Sequence, residues 1–240
     1  MLISRRFHLR RTKMLGFLDE LEAAGGGAKS VYLPPGLPLP EIESLVRAVL
    51  DREAIPPRLT ELASGSETGA VLFWGPPRRC LVLLPFPVTE KYLTPGYDVE
   101  PVRSMLQHDF KLAIILVRAG AYAVGVCQGE ELVASKVGTG LIHARHKKGG
   151  SSQRRFERHR EKQLEQFLDR ACARVCERLG PHAGTLDYVV YGGARGTILS
   201  LRKRCPFLQQ FDQRMLPPLF DIPEPRKAVL DTAIGQVWSS

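Results

Sequence analysis

Between His146 and Arg160 the chain reads HKKGGSSQRRFERHR, a run whose residue types bind and polarise anions. Gly149 and Gly150 can take backbone angles closed to other residues and can approach a ligand closely. Ser151 and Ser152 are small and suited to capping a following helix. A helix start offers unpaired N–H groups and the positive end of the dipole. Lys147, Lys148, Arg154, Arg155, Arg158 and Arg160 add phosphate-binding charge, and Arg145 and Lys162 extend the run on either side. From Arg145 to Lys162 eight Lys or Arg face only Glu157 and Glu161, a net +6 in a chain whose total is +9. Gln153 is the one uncharged polar side chain long enough to project from such a tip into a reaction centre. A bare Gly-Gly-Ser-Ser run reads as a solvated loop whose serine caps a helix, so the surrounding elements decide.

Those elements are legible. Leu112 to Arg118 and Tyr122 to Cys127 read as strands around Gly120, and a long strand runs from Leu132 towards Ile142; three strands with tight turns make an antiparallel meander. A long helix follows the basic loop. Its apolar positions Phe156, Leu164, Phe167, Leu168, Ala171, Val175 and Leu179 share one face at 3.6 residues per turn, and Gly180-Pro181 ends it. Leu186 to Tyr191 reads as a fourth strand, Thr197 to Arg204 as a helix, Leu216 to Ile222 as an edge strand and Pro225 to Val237 as a last helix. This order predicts an α/β fold with a mixed, ribonuclease-H-like sheet over residues 102–240. A smaller α/β region occupies 1–101. There Thr12 to Ala24 and Glu41 to Leu50 read as helices, Ser30 to Leu33, Ala70 to Trp74 and Cys80 to Leu84 as strands, and Pro85 to Pro101 as a Pro/Gly-rich connection; Val102 to His108, a short helix, opens the second region.

The stretch from Lys147 to Gln163, set between a meander and an amphipathic helix, resembles the middle domain of archaeal and eukaryotic class-one release factors. It is more similar still to the Vms-like release factors of ribosome quality control and their bacterial relatives, whose tip reads Gly-Gly-x-Ser-Gln followed by Arg-Arg-Phe or Arg-Arg-Tyr. Gly149 to Phe156 fits that pattern, the resemblance covers roughly Lys111 to Arg204, and Ser30 to Pro34 looks like the opening strand of the bacterial relatives. Against the plain Gly-Gly-Gln of class-one factors, Ser151 takes the glutamine register and Gln153 comes two residues late. The role has either moved to Gln153, as in the Vms-like group, or been lost, and the first is favoured.

The resemblance implies a peptidyl-tRNA hydrolase. The loop would enter the peptidyl-transferase centre of the large ribosomal subunit, where water attacks the ester joining peptide to ribose. The Gln153 backbone N–H would hold the oxyanion and its side chain would position the water. Gly149, Gly150, Ser151 and Ser152 would shape the tip, and the basic residues from Arg145 to Lys162 would grip rRNA and tRNA. The chain lacks the Asn-Ile-Lys-Ser tetrapeptide with which class-one factors read stop codons, and about 36 residues after Arg204 leave no counterpart of their GTPase-recruiting domain. Codon-independent release during ribosome rescue is therefore expected. A non-catalytic rRNA- or tRNA-binding factor, or an adaptor with a degenerate release-factor fold, are the other readings.

Other signals are weaker. An apolar fraction of 44% and a charged fraction of 25% are those of a soluble globular protein, and no apolar run approaches the ~18 residues of a membrane span. Met1 to Met14 is Arg-rich without an apolar core, so it reads as a basic arm rather than a secretory signal. A cytoplasmic location, no membrane or DNA partner and no cofactor are expected. Leu112 to Cys127 carries no Asp or Glu, which argues against a two-metal nuclease. His143 and His146 lack a third ligand, and His159 reads as solvated. The run from Gly192 to Gly196 lacks the Lys-Ser/Thr of a P-loop and reads as a tight turn. Of five cysteines, Cys172 and Cys176 lie one helical turn apart, the wrong presentation for a zinc knuckle. All five are expected to be reduced thiols, with no metal.

Overall fold

The computed structural model describes residues 5–50, 54–141 and 153–239, apart from the side chains of Pro57, Gln153, Arg154 and Phe156. The chain divides into two compact units, residues 1–108 with 235–240, and 109–234.

The first unit is built on four antiparallel strands, β1 (Lys29–Leu33), β2 (Ala70–Trp74), β3 (Arg79–Leu83) and β4 (Tyr92–Pro95), in the order β3-β2-β1-β4. Both faces are covered. Tyr32, Val71, Phe73 and Val82 pack under α1 (Arg11–Ala24) and α4 (Glu100–Gln107), through Met14, Leu18, Leu21, Val102 and Leu106. Val31, Leu33, Ala70 and Leu72 pack under α2 (Leu39–Leu50) and α3 (Pro57–Ser64). Burial on both sides explains why β2 is an unbroken apolar run. Two elements are absent from the sequence reading, α3 and the edge strand β4. The latter lies inside the Pro/Gly-rich stretch, where the Tyr92 ring stacks on Tyr32 at 4.7 Å. The boundary read at 101/102 also needs moving, because Val102 and Leu106 complete the core of the first unit.

The second unit carries the mixed sheet. β5 (Lys111–Arg118), β6 (Ala121–Gln128) and β7 (Glu131–Thr139) form the meander, and β8 (Tyr188–Gly193) returns parallel to β5, giving the order β7-β6-β5-β8. This is the ribonuclease-H-like arrangement expected. Ala113, Ile115 and Val117 of β5 and Tyr122, Val124 and Val126 of β6 face α5 (Gln153–Leu179) and α6 (Arg195–Arg204). On the other face α7 (Lys227–Val237) lays Leu230 over Gly125, where an added Cβ would come within 2.9 Å of a leucine methyl.

The expected edge strand at 216–222 is reduced to two isolated parallel bridges, Val189 to Met215 and Gly192 to Leu219. Pro217 and Pro218 fall between them and have no N–H to donate to a ladder. Gly193 closes β8 at φ +117°, with an added Cβ only 2.1 Å from the Val117 carbonyl; the Gly192–Gly196 run is not the tight turn expected but the direct junction of β8 with α6 (Arg195–Arg204) through Ala194.

The end of β7 is seated against α5. An added Cβ on Gly140 would stand 2.7 Å from the Phe167 ring, and one on Gly138 would stand 2.3 Å from the Tyr122 ring. Phe167→Ala is therefore expected to cost about 3–5 kcal/mol, and Gly140→Ala about 1–3 kcal/mol through overpacking. Urea unfolding measures both; a Gly140→Ala protein as stable as the parent would show that the Phe167 ring is free to shift.

Candidate functional site

Among the described side chains, only the second half of helix α5 is buried. From Phe167 onward Phe167, Leu168, Ala171, Val175 and Leu179 are buried against the sheet, at 2% exposure or less. Before Phe167 no described side chain of the helix is buried, and Leu164 is only partly covered. The ten residues 153–162 thus extend about 15 Å at 1.5 Å per residue beyond the packed portion.

The faces of this first portion are sorted by charge. Arg155, Arg158 and Lys162 are exposed. At 100° per residue they share one face, roughly opposite the apolar stripe of Leu164, Phe167 and Ala171. Glu157 and Glu161 fall on the apolar stripe's side, so the helical period keeps them off the basic face. Arg160 is half-buried, and exposed His159 shares a hydrogen bond of 3.2 Å with Gln163 one turn on. Gln153 is the first helical residue. Gly149, Gly150, Ser151 and Ser152, with Arg145, Lys147, Lys148, His143 and His146, lie outside the described residues, as do the side chains of Gln153 and Arg154.

The root of the helix is tied twice to α6. Arg204 donates from Nε and Nη2 to the two carboxylate oxygens of Asp169, each at 2.9 Å. Its Nη1 lies 3.4 Å from Glu165. This bidentate bond holds the Asp169 carboxyl below its usual 3.8. Beside it Cys172 is bonded to Cys205, the C-cap of α6, with a Cα–Cα distance of 5.4 Å. That corrects the expectation of five free thiols: α6 returns along α5 and brings together two cysteines 33 residues apart. Cys127 is buried and its thiol is pushed up to about 12, first by burial and then by Asp231, so it is an inert core group. Sequence reading also missed the two-glycine footing at Gly138 and Gly140. Its signal is a small-residue pair at a strand end, which permits a helix to approach closely.

Residues 110–240 match the family model described as "Actinobacteria/chloroflexi VLRF1 release factor". The chain belongs to this release-factor family. Peptide chain release factor subunit 1 of Aeropyrum pernix is 26% identical over 221 residues, covering 80% of this chain and 59% of that relative. The same-named protein of Archaeoglobus fulgidus is 21% identical over 228 residues, covering 81% and 54%. The chain spans little more than half the length of these relatives. Among solved structures, an archaeal translation termination factor, aRF1, aligns with 96% of this release factor and 73% of its own chain, at 17% identity and a TM-score of 0.41. No described helix of this release factor is long and apolar enough to cross a membrane.

The Asp169–Arg204 pair predicts a pH signature. Asp169 has a depressed folded-state value, so its contribution to stability is complete above the ordinary carboxylate range and is lost as pH falls through the folded value below 3.8. Its side chain is 56% exposed, so solvent weakens the pair and the effect is small. Asp169→Asn should melt lower than the parent at neutral pH, and the two should converge below pH 3.8. A gap that persists unchanged in acid would assign the difference to something other than the ion pair.

Proposed function

We propose that this release factor hydrolyses peptidyl-tRNA on the large ribosomal subunit, with Gln153 at the reaction centre. The observation that carries the reading is a helix that begins at Gln153, has no described buried side chain before Phe167, and bears Arg155, Arg158 and Lys162 on its outer face. A helix whose first half is basic and carries no buried described side chain is suited to a narrow RNA-lined passage. Its first residues have unpaired N–H donors, and the dipole favours negative charge there. The covalent chain puts Ser152, Ser151, Gly150 and Gly149 next to that end.

Water attacks the carbonyl carbon of the ester, negative charge grows on the carbonyl oxygen, and the ribose oxygen leaves with a proton. The Gln153 N–H donates to the oxyanion, and its side-chain amide holds the water in line. Gly149 and Gly150 let the backbone come close to the terminal adenosine. Arg145, Lys147, Lys148, Arg154 and Arg160 join the exposed basic face in contacting phosphates. Neither step needs a metal or a strong base.

The chain carries no Asn-Ile-Lys-Ser tetrapeptide, which supports release without codon reading on large subunits that retain peptidyl-tRNA, a rescue reaction. The test compares release rates on isolated large subunits, on ribosomes at a stop codon and on ribosomes at a sense codon. The isolated subunit should be fastest; a marked preference for the stop codon would mean ordinary termination. Tight binding with no release on any of the three would make the chain an RNA-docking factor instead.

Two substitutions divide the work of Gln153. Gln153→Ala keeps the N–H and should lower single-turnover release about a hundredfold. Gln153→Pro removes the N–H at a helix position that tolerates proline, and should cost a further ~10²–10³. Full release by folded Gln153→Ala would remove the role of the side chain, and full release by folded Gln153→Pro that of the N–H.

Replacing Arg155 and Arg158 by Ala should flatten the salt dependence of ribosome binding by about 0.7–0.9 in log–log slope for each phosphate that is no longer neutralised. An unchanged slope would show that this face points away from RNA.

A further inference from the structure

The thiols at the root of α5 form a cluster that hydrolysis does not use. Cys172 and Cys176 sit on successive turns of α5, and Cys205 caps α6. Their three sulfurs all lie within 4.8 Å of one another, and no other group of three or more His, Cys, Asp or Glu ligand atoms converges in this way among the described residues. We infer that these three cysteines are a binding site for a thiophilic divalent metal ion of the zinc class, filled when the Cys172–Cys205 bond is reduced.

The spacing fits. At a zinc–sulfur distance of about 2.3 Å, tetrahedral geometry separates neighbouring sulfurs by about 3.8 Å. Cys172 and Cys176 already stand 4.0 Å apart. The Cys205 sulfur lies within 4.8 Å of both. A disulfide alone gives no role to a third thiol held at ligand distance, whereas a thiolate site uses all three. Cys172 and Cys176 are half-buried and Cys205 is buried, so the cluster is reachable from solvent on the α5 side.

The chemistry balances. A dithiol reductant gives two electrons and two protons to the Cys172–Cys205 bond and leaves as its own disulfide. The metal ion then displaces three thiol protons, and three thiolates on a divalent ion leave a net charge of −1. The adjoining last turn of α6 carries Arg202, Lys203 and Arg204. A bound divalent cation holds a coordinated thiol as the thiolate. Thiolate ligands select soft ions over magnesium or calcium. Filled, the site would tie α5 to α6 beside the Asp169–Arg204 pair, at the point from which the basic half of the helix extends.

The test is a titration of the full reduced chain with Cd2+, read by sulfur-to-cadmium charge-transfer absorbance and followed by Zn2+ competition. Parent and Cys80→Ser proteins should saturate at one equivalent with equal absorbance and release cadmium to zinc. Cys176→Ser should fall to about two-thirds of that absorbance and bind more weakly, because one of three thiolates is gone. Cys176→Ala repeats the measurement should the serine variant fail a circular-dichroism check of its fold. Absorbance unchanged in a folded Cys176 variant, or no saturable absorbance in the parent, would overturn the site and leave only the Cys172–Cys205 disulfide.

Discussion

The ring of Phe167 resting on the bare backbone of Gly140 fixes where the long helix leaves the body of its unit. No side chain fits at Gly140 without displacing that ring. The same ring lies 6.0 Å from that of Tyr122, which in turn occupies the space a side chain on Gly138 would need. Towards the C-terminus each turn of α5 adds a buried residue. Towards the N-terminus none does so among the described side chains, and helical propensity with the local His159–Gln163 bond supports the backbone. Burial and charge are therefore separated along one helix: its second half belongs to the core, and the exposed basic residues Arg155, Arg158 and Lys162 stand on its first half.

That separation accounts for how charge is arranged. The dipole at a helix N-terminus adds to whatever cations stand nearby. Arg155, Arg158 and Lys162 share a face because of their spacing, and Glu157 and Glu161 fall elsewhere for the same reason. A net charge read over the whole segment understates the positive potential of that face. The Asp169–Arg204 pair and the cysteine cluster do their work at the other end, where the helix meets α6.

The sequence was readable where periodicity was strong. The meander, the amphipathic stripe of α5 and the parallel return of β8 follow from runs such as Leu112 to Val117 and from the 3.6-residue spacing of Phe167, Ala171 and Val175. It was unreadable where distant residues decide. β4 is a strand because Tyr92 stacks on Tyr32 and pairs with β1, inside a stretch whose prolines and glycines argue for a loop. Leu216 to Ile222 has strand-like composition, but Pro217 and Pro218 remove the donors a ladder needs. The Cys172–Cys205 pairing depends on α6 folding back along α5, which no spacing within one helix reveals. Of the candidate site, the basic face was legible from residue types, whereas the division of α5 at Phe167 had no signal apart from the glycines at 138 and 140.

The central claim is spatial: the Gln153 end of α5 enters the peptidyl-transferase centre. A hydroxyl-radical source tethered at exposed position 157, on factor bound to large subunits that carry peptidyl-tRNA, tests it directly. The account predicts strand cleavage in the rRNA that lines the peptidyl-transferase centre and at the acceptor end of the tRNA, with much weaker cleavage from a source at position 173 near the packed end of the helix. Cleavage confined to rRNA elsewhere on the subunit, or equal from both positions, would contradict it.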